Sequence, residues 1–299
     1  MRLIVQSGLL PEGSLQLVIG GTGDLLGRLN GADVVTFTGS ADTASRLRVH
    51  PNLIANSVPF NAEADSLNCA ILGPDVTPDD EEFGLFVKEV AREMTVKAGQ
   101  KCTAIRRAIV PAKWLDAVCE QVAARLAKTT VGDPADERVR MGPLASHAQQ
   151  ADVAERIALL RQDAELVYAG KEDWIGEGTA QGAFCAPTLL ACRKPMDVDS
   201  VHTVEAFGPV STVMAYEDLD EALSLAARGQ GSLVATLVTR DTAVAAKAIP
   251  AMAAWHGRLH ILDRESAVES TGHGSPLPTL KHGGPGRAGG GEELGGLRA

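Results

Sequence analysis

Short runs of consecutive apolar residues alternate along this chain with longer stretches in which apolar residues recur every three or four positions. Continuous apolar runs are typical of strands buried on both faces, and the wider spacing is typical of helices with one buried face. The runs predict strands at 34–38, 69–72, 105–110, 166–169, 210–216, 233–238 and 259–262. The spaced stretches predict helices at 41–49, 78–94, 114–128, 147–162, 219–227 and 243–256. Because strands and helices alternate, we predict an α/β fold with a largely parallel sheet.

The two ends of the chain depart from this alternation. Near the start, we expect 3–5 to be strand-like and 15–19 to form a short buried strand. The glycine-rich turn Gly20–Gly27 follows, and it either points backbone N–H groups at a phosphate or simply joins a strand to a helix. The stretch 272–299 is dense in Gly and Pro. Such composition is typical of a disordered linker or of an entry loop that needs close backbone approach.

Composition excludes several classes of function. The formal net charge of −10 argues against a nucleic-acid partner, since phosphate binding requires a basic surface. No apolar run approaches the roughly 20 residues that a membrane span needs, so we expect no membrane association. The five cysteines form no C-x-x-C pair and the histidines lack ligand spacing, so we predict no metal site. Reduced thiols in an acidic chain predict a cytoplasmic location.

One cysteine has the surroundings of a nucleophile. Cys102 lies in Ala98–Ile105, after a Gly-Gln turn and just before the predicted strand 105–110. The positive charge of Lys101 and nearby backbone N–H groups would favour a thiolate, which can attack an electrophilic carbon. The alternative is a buried structural cysteine, the common state of a free thiol.

Two carboxylates and an aromatic residue complete the candidate chemistry. Glu63 lies among small residues between two apolar segments, where it is either a general base near the nucleophile or a carboxylate of a surface loop. Glu205 and Phe207 are two positions apart and would face the same side of an extended chain. We expect them to offer a carboxylate to sugar hydroxyls and a ring to a flat ligand; the alternative is a turn with a buried Phe. Ser40 is placed to cap the helix 41–49, where an anion could also bind.

Taken together, these stretches resemble the aldehyde dehydrogenase superfamily. The motifs that carry the resemblance are Phe37–Ser40, Glu63, Gly99–Cys102 and Glu205–Pro209. The resemblance implies Cys102 as the nucleophile and Glu63 as the general base. It also implies a set of cofactor contacts, namely Gly39, Ser40, Glu205 and Phe207.

Further motifs narrow the resemblance to one branch. Asn61–Asn68, Thr271–Gly274 and 282–298 resemble enzymes of phenylacetate degradation that oxidise a coenzyme A-linked semialdehyde with NADP, NAD being the alternative cofactor. The 3,4-dehydroadipyl-CoA semialdehyde dehydrogenases of benzoate catabolism share most of these motifs and stay an alternative. A set of basic residues could meet coenzyme A phosphates or form a solvated face: Arg106, Arg107 and Arg287.

The resemblance also implies a division of the chain. Residues 1–65 would be the C-terminal part of an NAD(P)-binding domain whose N-terminal part is absent, 66–268 the catalytic thiol domain, and 269–299 a glycine-rich C-terminal loop. We therefore expect a truncated form of an enzyme that is a homo-oligomer at full length. The alternative is an inactive fragment that acts only in folding or in an interaction.

Overall fold

The computed structural model describes residues 1–277 and 279–293. The helices are α1 (Arg2–Ser7), α2 (Ala41–Arg48), α3 (Pro51–Ala55), α4 (Glu81–Thr95), α5 (Leu115–Leu126), α6 (His147–Leu160), α7 (Ser200–Thr203), α8 (Leu219–Ala227) and α9 (Thr242–Ala253). The strands are β1 (Val35–Thr38), β2 (Phe60–Glu63), β3 (Cys69–Leu72), β4 (Arg107–Pro111), β5 (Glu165–Ala169), β6 (Thr188–Cys192), β7 (Val210–Tyr216), β8 (Ser232–Val238), β9 (His256–Leu262), β10 (His282–Gly283) and β11 (Glu292–Glu293).

A seven-stranded sheet in the order β5-β6-β7-β4-β3-β8-β9 forms the centre of the fold. All neighbouring strands are parallel except β5, which runs antiparallel to β6. Every residue of the five inner strands is buried, as the continuous apolar runs require of a sheet covered on both faces. The predicted α/β fold is confirmed.

Helices cover both faces of this sheet. Helices α4 and α5 pack on one face, and the apolar stripe of α4 from Phe83 to Met94 lies wholly in that core. Helices α6, α8 and α9 bury their apolar residues on the other face. The sheet therefore gives a rigid base from which the loops at its edge project.

A separate two-stranded sheet pairs β1 with β2 in parallel, with α2 and α3 in the connection. Strand β2 is followed within a few residues by β3 of the large sheet. The two sheets are thus joined by the short segment 64–68. The proposed division of the chain into domains at residue 65 stays a prediction.

Two expectations for the start of the chain are wrong. Residues 3–5 lie in α1, and 15–19 form no strand and are exposed, with Ile19 88% accessible. A strand needs a neighbour for its backbone groups. Within the described residues β1 pairs only with β2, so the apolar stretch 15–19 has no strand to join. Gly20–Gly27 is likewise largely exposed and does not line the cleft described below.

Among the described residues, no helix is both long enough and apolar enough to cross a membrane.

An ion pair between a buried carboxylate and an exposed guanidinium group fixes the start of α4, the helix that leads to Cys102. Glu82 is fully buried and accepts hydrogen bonds from the Arg264 side chain, at 2.8 Å from Nε and 2.7 Å from Nη2. Those hydrogen bonds outweigh burial and lower the pKa of the Glu82 carboxyl group to about 2. Because Arg264 follows β9, the pair ties α4 to the edge of the sheet.

We expect Glu82→Gln to lower the free energy of unfolding by about 2 kcal/mol at pH 7. The folded carboxyl has a lowered pKa, so its contribution is present above the ordinary value of 4.5 and is lost as the pH falls toward 2. Urea denaturation of wild type and variant across this range should show the difference shrinking at low pH. Glu81→Gln, at the more exposed neighbouring carboxylate, is the matched control. A difference that stays constant down to the acid limit would contradict the assignment.

Candidate active site

The end of the small sheet brings Glu63 beside the turn after β1. Thr38 and Glu63 are paired as the last residues of their parallel strands. The turn Gly39–Ser40 therefore lies next to Glu63, and the Gly39 N–H donates to the Glu63 carbonyl oxygen at 3.2 Å. The side chain of Glu63 is only 2% exposed. The alternative interpretation of Glu63 as a surface-loop carboxylate is wrong.

A carboxylate from outside α2, that of Asp65, already accepts a hydrogen bond from the first turn of the helix. Ser40 caps the helix as predicted, its Oγ accepting the Thr43 N–H at 3.2 Å. The Ala41 N–H donates to Asp65 at 2.7 Å, and Asp65 pairs with Arg287 at 3.1 Å. A phosphate near Ser40 would therefore be attracted by the partial positive charge of the helix end. The negative charge of Asp65 would oppose this attraction, but the positive charge of Arg287 compensates for it.

A strained turn leads from α4 to the cysteine loop. Lys97, Ala98 and Gly99 all have positive φ, at 53°, 53° and 68°. Such a backbone costs a residue other than glycine about 1–2 kcal/mol. A Cβ atom at Gly99 would overlap the carbonyl group of Gly208. The turn therefore presses the cysteine loop against the segment that contains Glu205 and Phe207.

Asn68 holds the loop around the cysteine. Its buried Nδ2 donates to the carbonyl oxygens of Cys102 at 2.8 Å and of Ala104 at 3.1 Å. Its Oδ1 accepts the Val234 N–H at 3.1 Å. One amide thus connects the loop to strand β8, which fixes the backbone on both sides of the sulfur.

The side chain of Lys101 has a partner other than the sulfur. Both oxygens of the buried Glu93 bind its ammonium group, at 2.7 and 2.8 Å. The guanidinium groups of Arg106 and Arg258 interact electrostatically with Cys102. Burial lowers the pKa of both arginines, and the charge of Cys102 is one of the influences that oppose it. The cationic neighbours that matter for the thiol include these two residues, which the sequence pattern did not identify.

Arg106 joins the two candidate segments. Its guanidinium donates to the Gly99 carbonyl oxygen at 2.9 Å and to the Gly208 carbonyl oxygen at 2.8 Å. It also pairs with Glu205 at 3.3 Å and lies 5.4 Å from the centre of the Phe207 ring. Each nitrogen of this buried cation therefore has an acceptor, as burial of a charge requires.

Arg107 has a purely internal set of partners. It is 1% exposed and donates to the carbonyl oxygens of Leu67, Leu225 and Ala226. The expectation that Arg106 and Arg107 meet coenzyme A phosphates is wrong, and so is the alternative of a solvated face. Five donors on one guanidinium suit a buried cluster of carbonyl groups better than either.

Glu205 is held from two sides. Its Oε2 accepts the Ser66 N–H at 3.2 Å, and its Oε1 faces Arg106. Burial raises the pKa of the carboxyl group, and the charge of Arg106 opposes that effect. Glu205 and Phe207 both line the cleft, as their two-residue spacing predicts.

The glycine-rich segment packs against β2. The Ala64 N–H donates to Ala288 at 3.0 Å, and Asn61 exchanges hydrogen bonds with the backbone of Glu292. A Cβ atom at Gly291 would overlap Asn61 and Ala62. Close backbone approach, the second of the two interpretations of this segment, is therefore confirmed for its described part. Residues 278 and 294–299 lie outside the described residues.

This packing brings an unpredicted residue, His282, to the cysteine. Its Nε2 lies 3.6 Å from the Cys102 sulfur and 3.7 Å from Glu63 Oε1. Its Nδ1 lies 3.3 Å from the Arg258 guanidinium. His282 was not predicted as a site residue because no spacing rule links it to Cys102, 180 positions earlier in the chain. Two signals were present: the surrounding glycine, which indicates close contact with other backbone, and the resemblance of 282–298 to one branch of the family.

A cleft of about 1340 Å³ joins these parts. Its lining includes every predicted site residue, namely Gly39, Ser40, Glu63, Cys102, Glu205 and Phe207. Four cationic side chains also line it: Arg46, Lys97, Arg156 and Arg287. The candidate nucleophile, the candidate base and the Glu205–Phe207 pair thus line one cavity, while their roles stay predictions.

The ligand atoms of Glu63, Cys102 and His282 lie within 4.8 Å of one another, close enough to surround a metal ion. The group that faces the other ring nitrogen of His282 does not suit a metal ligand. A histidine that binds a metal through Nε2 normally donates its Nδ1–H to an oxygen. Here the donor group of Arg258 faces Nδ1. The prediction of no metal is kept on this ground.

The pattern of the aldehyde dehydrogenase family matches residues 1–295. The chain belongs to the aldehyde dehydrogenase family. It is 49% identical over 284 residues to the 3,4-dehydroadipyl-CoA semialdehyde dehydrogenase of Aromatoleum evansii. The aligned region covers 94% of this chain and 55% of that protein. It is 51% identical over 160 residues to Protein MaoC of Klebsiella aerogenes, covering 53% of this chain and 47% of the other. The chain thus spans about half the length of these curated relatives.

Solved aldehyde dehydrogenases share the fold. An apo betaine aldehyde dehydrogenase variant from Staphylococcus aureus superposes with a TM-score of 0.82 at 23% identity, over 99% of this chain and 56% of that one. Aldehyde dehydrogenase C of Pseudomonas syringae, solved with NAD+ and octanal, gives a TM-score of 0.72 at 26% identity. That match covers 89% of this chain and 50% of the other.

The geometry predicts selective labelling of one thiol. Burial raises the pKa of the other four cysteines, to about 12 for Cys119 and about 11 for Cys185. We expect iodoacetamide at pH 8 to alkylate the partly exposed Cys102 at least roughly tenfold faster than any of them. A time course of peptide mass mapping measures the five rates. Equal labelling of Cys185, which is also partly exposed, would contradict a special environment at Cys102.

Proposed function

We propose that this chain carries the catalytic site of an NADP-dependent aldehyde dehydrogenase that oxidises a coenzyme A-linked semialdehyde to the acid in aromatic catabolism. The convergence of Cys102, Glu63 and the Glu205–Phe207 pair on one cleft is the observation that carries the proposal. The identity of 49% to a protein named for a CoA semialdehyde supports the substrate class. Phenylacetate degradation is the first candidate pathway. The name of that relative favours the second, the 3,4-dehydroadipyl-CoA semialdehyde of benzoate catabolism.

In the proposed reaction, the Cys102 thiolate attacks the aldehyde carbon and forms a thiohemiacetal. The loop that carries the sulfur is held by Asn68 on one side and by Arg106 on the other. Positioning of this kind lowers the barrier because the nucleophile has little freedom left to lose when it reacts.

The residues present fit a nicotinamide cofactor. The α2 end with Gly39 and Ser40 would meet its phosphates, the Glu205 carboxylate would accept ribose hydroxyl groups, and the Phe207 ring would lie against a flat group. The cofactor would supply the hydride acceptor. NADP is proposed and NAD is the alternative.

Glu63 is proposed to complete the reaction. Removal of hydride leaves an acyl thioester on Cys102, and a water must then attack its carbonyl carbon. Glu63 is buried within the same cluster as the sulfur, and a carboxylate there can take the proton of that water. The products are the free acid and the regenerated thiol. This role favours acid formation over transfer of the acyl group to coenzyme A.

The cations of the cleft support an anionic substrate. Arg46, Lys97 and Arg287 line the cavity, and phosphates of a coenzyme A group would be attracted to them. We propose, on the same family resemblance, that the full-length protein is a cytoplasmic homo-oligomer.

Cys102→Ala should lower aldehyde oxidation by roughly 10³-fold or more, because the covalent intermediate is lost. Glu63→Gln should lower the steady-state rate by roughly 10²–10⁴-fold but keep a burst of one reduced cofactor per site, since hydride transfer precedes hydrolysis. Stopped-flow absorbance of the reduced cofactor measures both, in the full-length protein. Glu120→Gln, an exposed carboxylate on α5, is the control. Loss of the burst in Glu63→Gln would contradict a role confined to hydrolysis.

A comparison of substrates tests the chemical class. We expect kcat/KM for a CoA-linked semialdehyde to exceed that for a plain aliphatic aldehyde of similar chain length by at least roughly 10²-fold, since only the former carries phosphates that Arg46 and Lys97 of the lining could attract. The advantage should fall as salt is added. Equal values for the two substrates would contradict the coenzyme A assignment.

A further inference from the structure

We infer that His282 is a catalytic residue which donates its Nε2–H to the Cys102 sulfur, and that Arg258 is the positioning residue which fixes this tautomer. The inference rests on the proposed function, because it takes Cys102 as the nucleophile. It adds to that function a donor from the glycine-rich segment, outside the motifs that imply the nucleophile, the general base and the cofactor contacts.

The direction of the hydrogen bond follows from the other nitrogen of the ring. Arg258 Nη1 lies 3.3 Å from His282 Nδ1. A guanidinium group carries only donors, so Nδ1 must accept and must be without a proton. The ring proton then lies on Nε2, which faces Cys102 at 3.6 Å and Glu63 at 3.7 Å. A nitrogen that already carries the proton cannot remove one from the thiol.

The position of Arg258 is itself fixed. Its Nη2 donates to the His273 carbonyl oxygen at 2.8 Å, and the backbone of Arg258 lies in β9, paired with Val234 of β8. His273 is fully buried and its Nδ1 contacts Thr236 at 2.7 Å. The guanidinium is therefore anchored at one end and presents its other nitrogen to His282.

The glycines around His282 make this contact possible. A Cβ atom at Gly257 would overlap the carbonyl group of Gly283, and one at Gly283 would overlap the Gly291 carbonyl oxygen. Each neighbouring backbone therefore approaches as closely as glycine allows. Gly257 precedes Arg258 and Gly283 follows His282, so the close contact of the two glycines sets the arginine and histidine side by side.

A donor at this position has a defined chemical effect. A hydrogen bond to the charged form of a group favours that form, so the Nε2–H would stabilise the Cys102 thiolate relative to the thiol. When the sulfur becomes part of a neutral thioester, the same N–H can turn to the Glu63 carboxylate. His282 would thus first keep the Cys102 nucleophile ionised and later, at the thioester stage, keep the general base Glu63 oriented.

The test measures the rate of Cys102 alkylation by iodoacetamide at pH 7 in the full-length protein, with the alkylated sulfur identified by mass mapping. His282→Phe keeps a ring but removes the donor, and we expect the rate to fall about tenfold or more. In His282→Gln, the amide oxygen can accept from Arg258 while the amide nitrogen donates to the sulfur. We expect this variant to stay within about threefold of wild type.

Arg258→Met distinguishes the role of His282 as a hydrogen-bond donor from a role as a base. Without the guanidinium, the proton of His282 is free to move to Nδ1, and we expect alkylation to slow by about threefold or more. A histidine acting as the base would gain from the loss of the neighbouring charge, so a faster rate would overturn the inference. A His282→Phe rate equal to wild type, or a His282→Gln rate as low as that of Phe, would overturn it too.

A direct observation of the tautomer covers variants that fail to fold. In wild-type protein labelled with ¹⁵N-histidine, the His282 Nδ1 signal should show an unprotonated nitrogen and the Nε2 signal a protonated one. The opposite pattern would overturn the inference. Neither measurement requires an aldehyde or a cofactor, so failure here leaves the aldehyde dehydrogenase proposal to its own test with Cys102→Ala.

Discussion

The buried guanidinium of Arg106 connects the loop of the nucleophile to the segment proposed to bind the cofactor. A cation removed from water must have an acceptor for each of its donors, and Arg106 finds them on Gly99, Gly208 and Glu205. If either segment moved, a buried charge would lose its partner, at a cost of several kcal/mol. Arg106, which does not line the cleft, therefore helps to set the distance between the thiol and the Glu205–Phe207 pair.

The site is assembled from segments distant in the sequence, each fixed by a different device. Strand pairing places Glu63 beside the α2 end, and a buried amide fixes the cysteine loop. Close glycine contacts bring His282 from the last part of the chain against β2 and β9. The large sheet provides the rigid base for the cysteine loop and for Arg258 on β9, while Glu63 lies on the small sheet. An enzyme needs such rigidity because its reacting groups must stay within fractions of an ångström of a working geometry.

The hydrophobic pattern was sufficient to predict six of the seven strands of the large sheet and the helices that cover it, because a parallel sheet covered on both faces requires continuous apolar runs. Strand β6 was not among the predicted strands. The motifs around Cys102 and Glu63 were sufficient to select both as candidates, and both line the cleft, while their roles stay predictions. The expected strand at 15–19 was wrong because strand formation depends on a partner, which an apolar run does not reveal. The environment of Arg106 was predicted wrongly because burial of a cation is a property of the assembled fold. His282 was missed because it reaches the site through a long-range contact of glycine backbone, which is also a property of the assembled fold.

The most direct test of the central claim is the single-turnover rate of cofactor reduction by Arg106→Lys in the full-length protein. Lysine keeps the charge but cannot supply the planar set of donors that reaches three acceptors at once. We expect this rate to fall by roughly one to two orders of magnitude with the far-ultraviolet circular dichroism unchanged. Arg125→Lys, at an exposed position of α5, should keep the wild-type rate. An Arg106→Lys rate equal to that of this control would contradict the claim that one guanidinium holds the two halves of the site together.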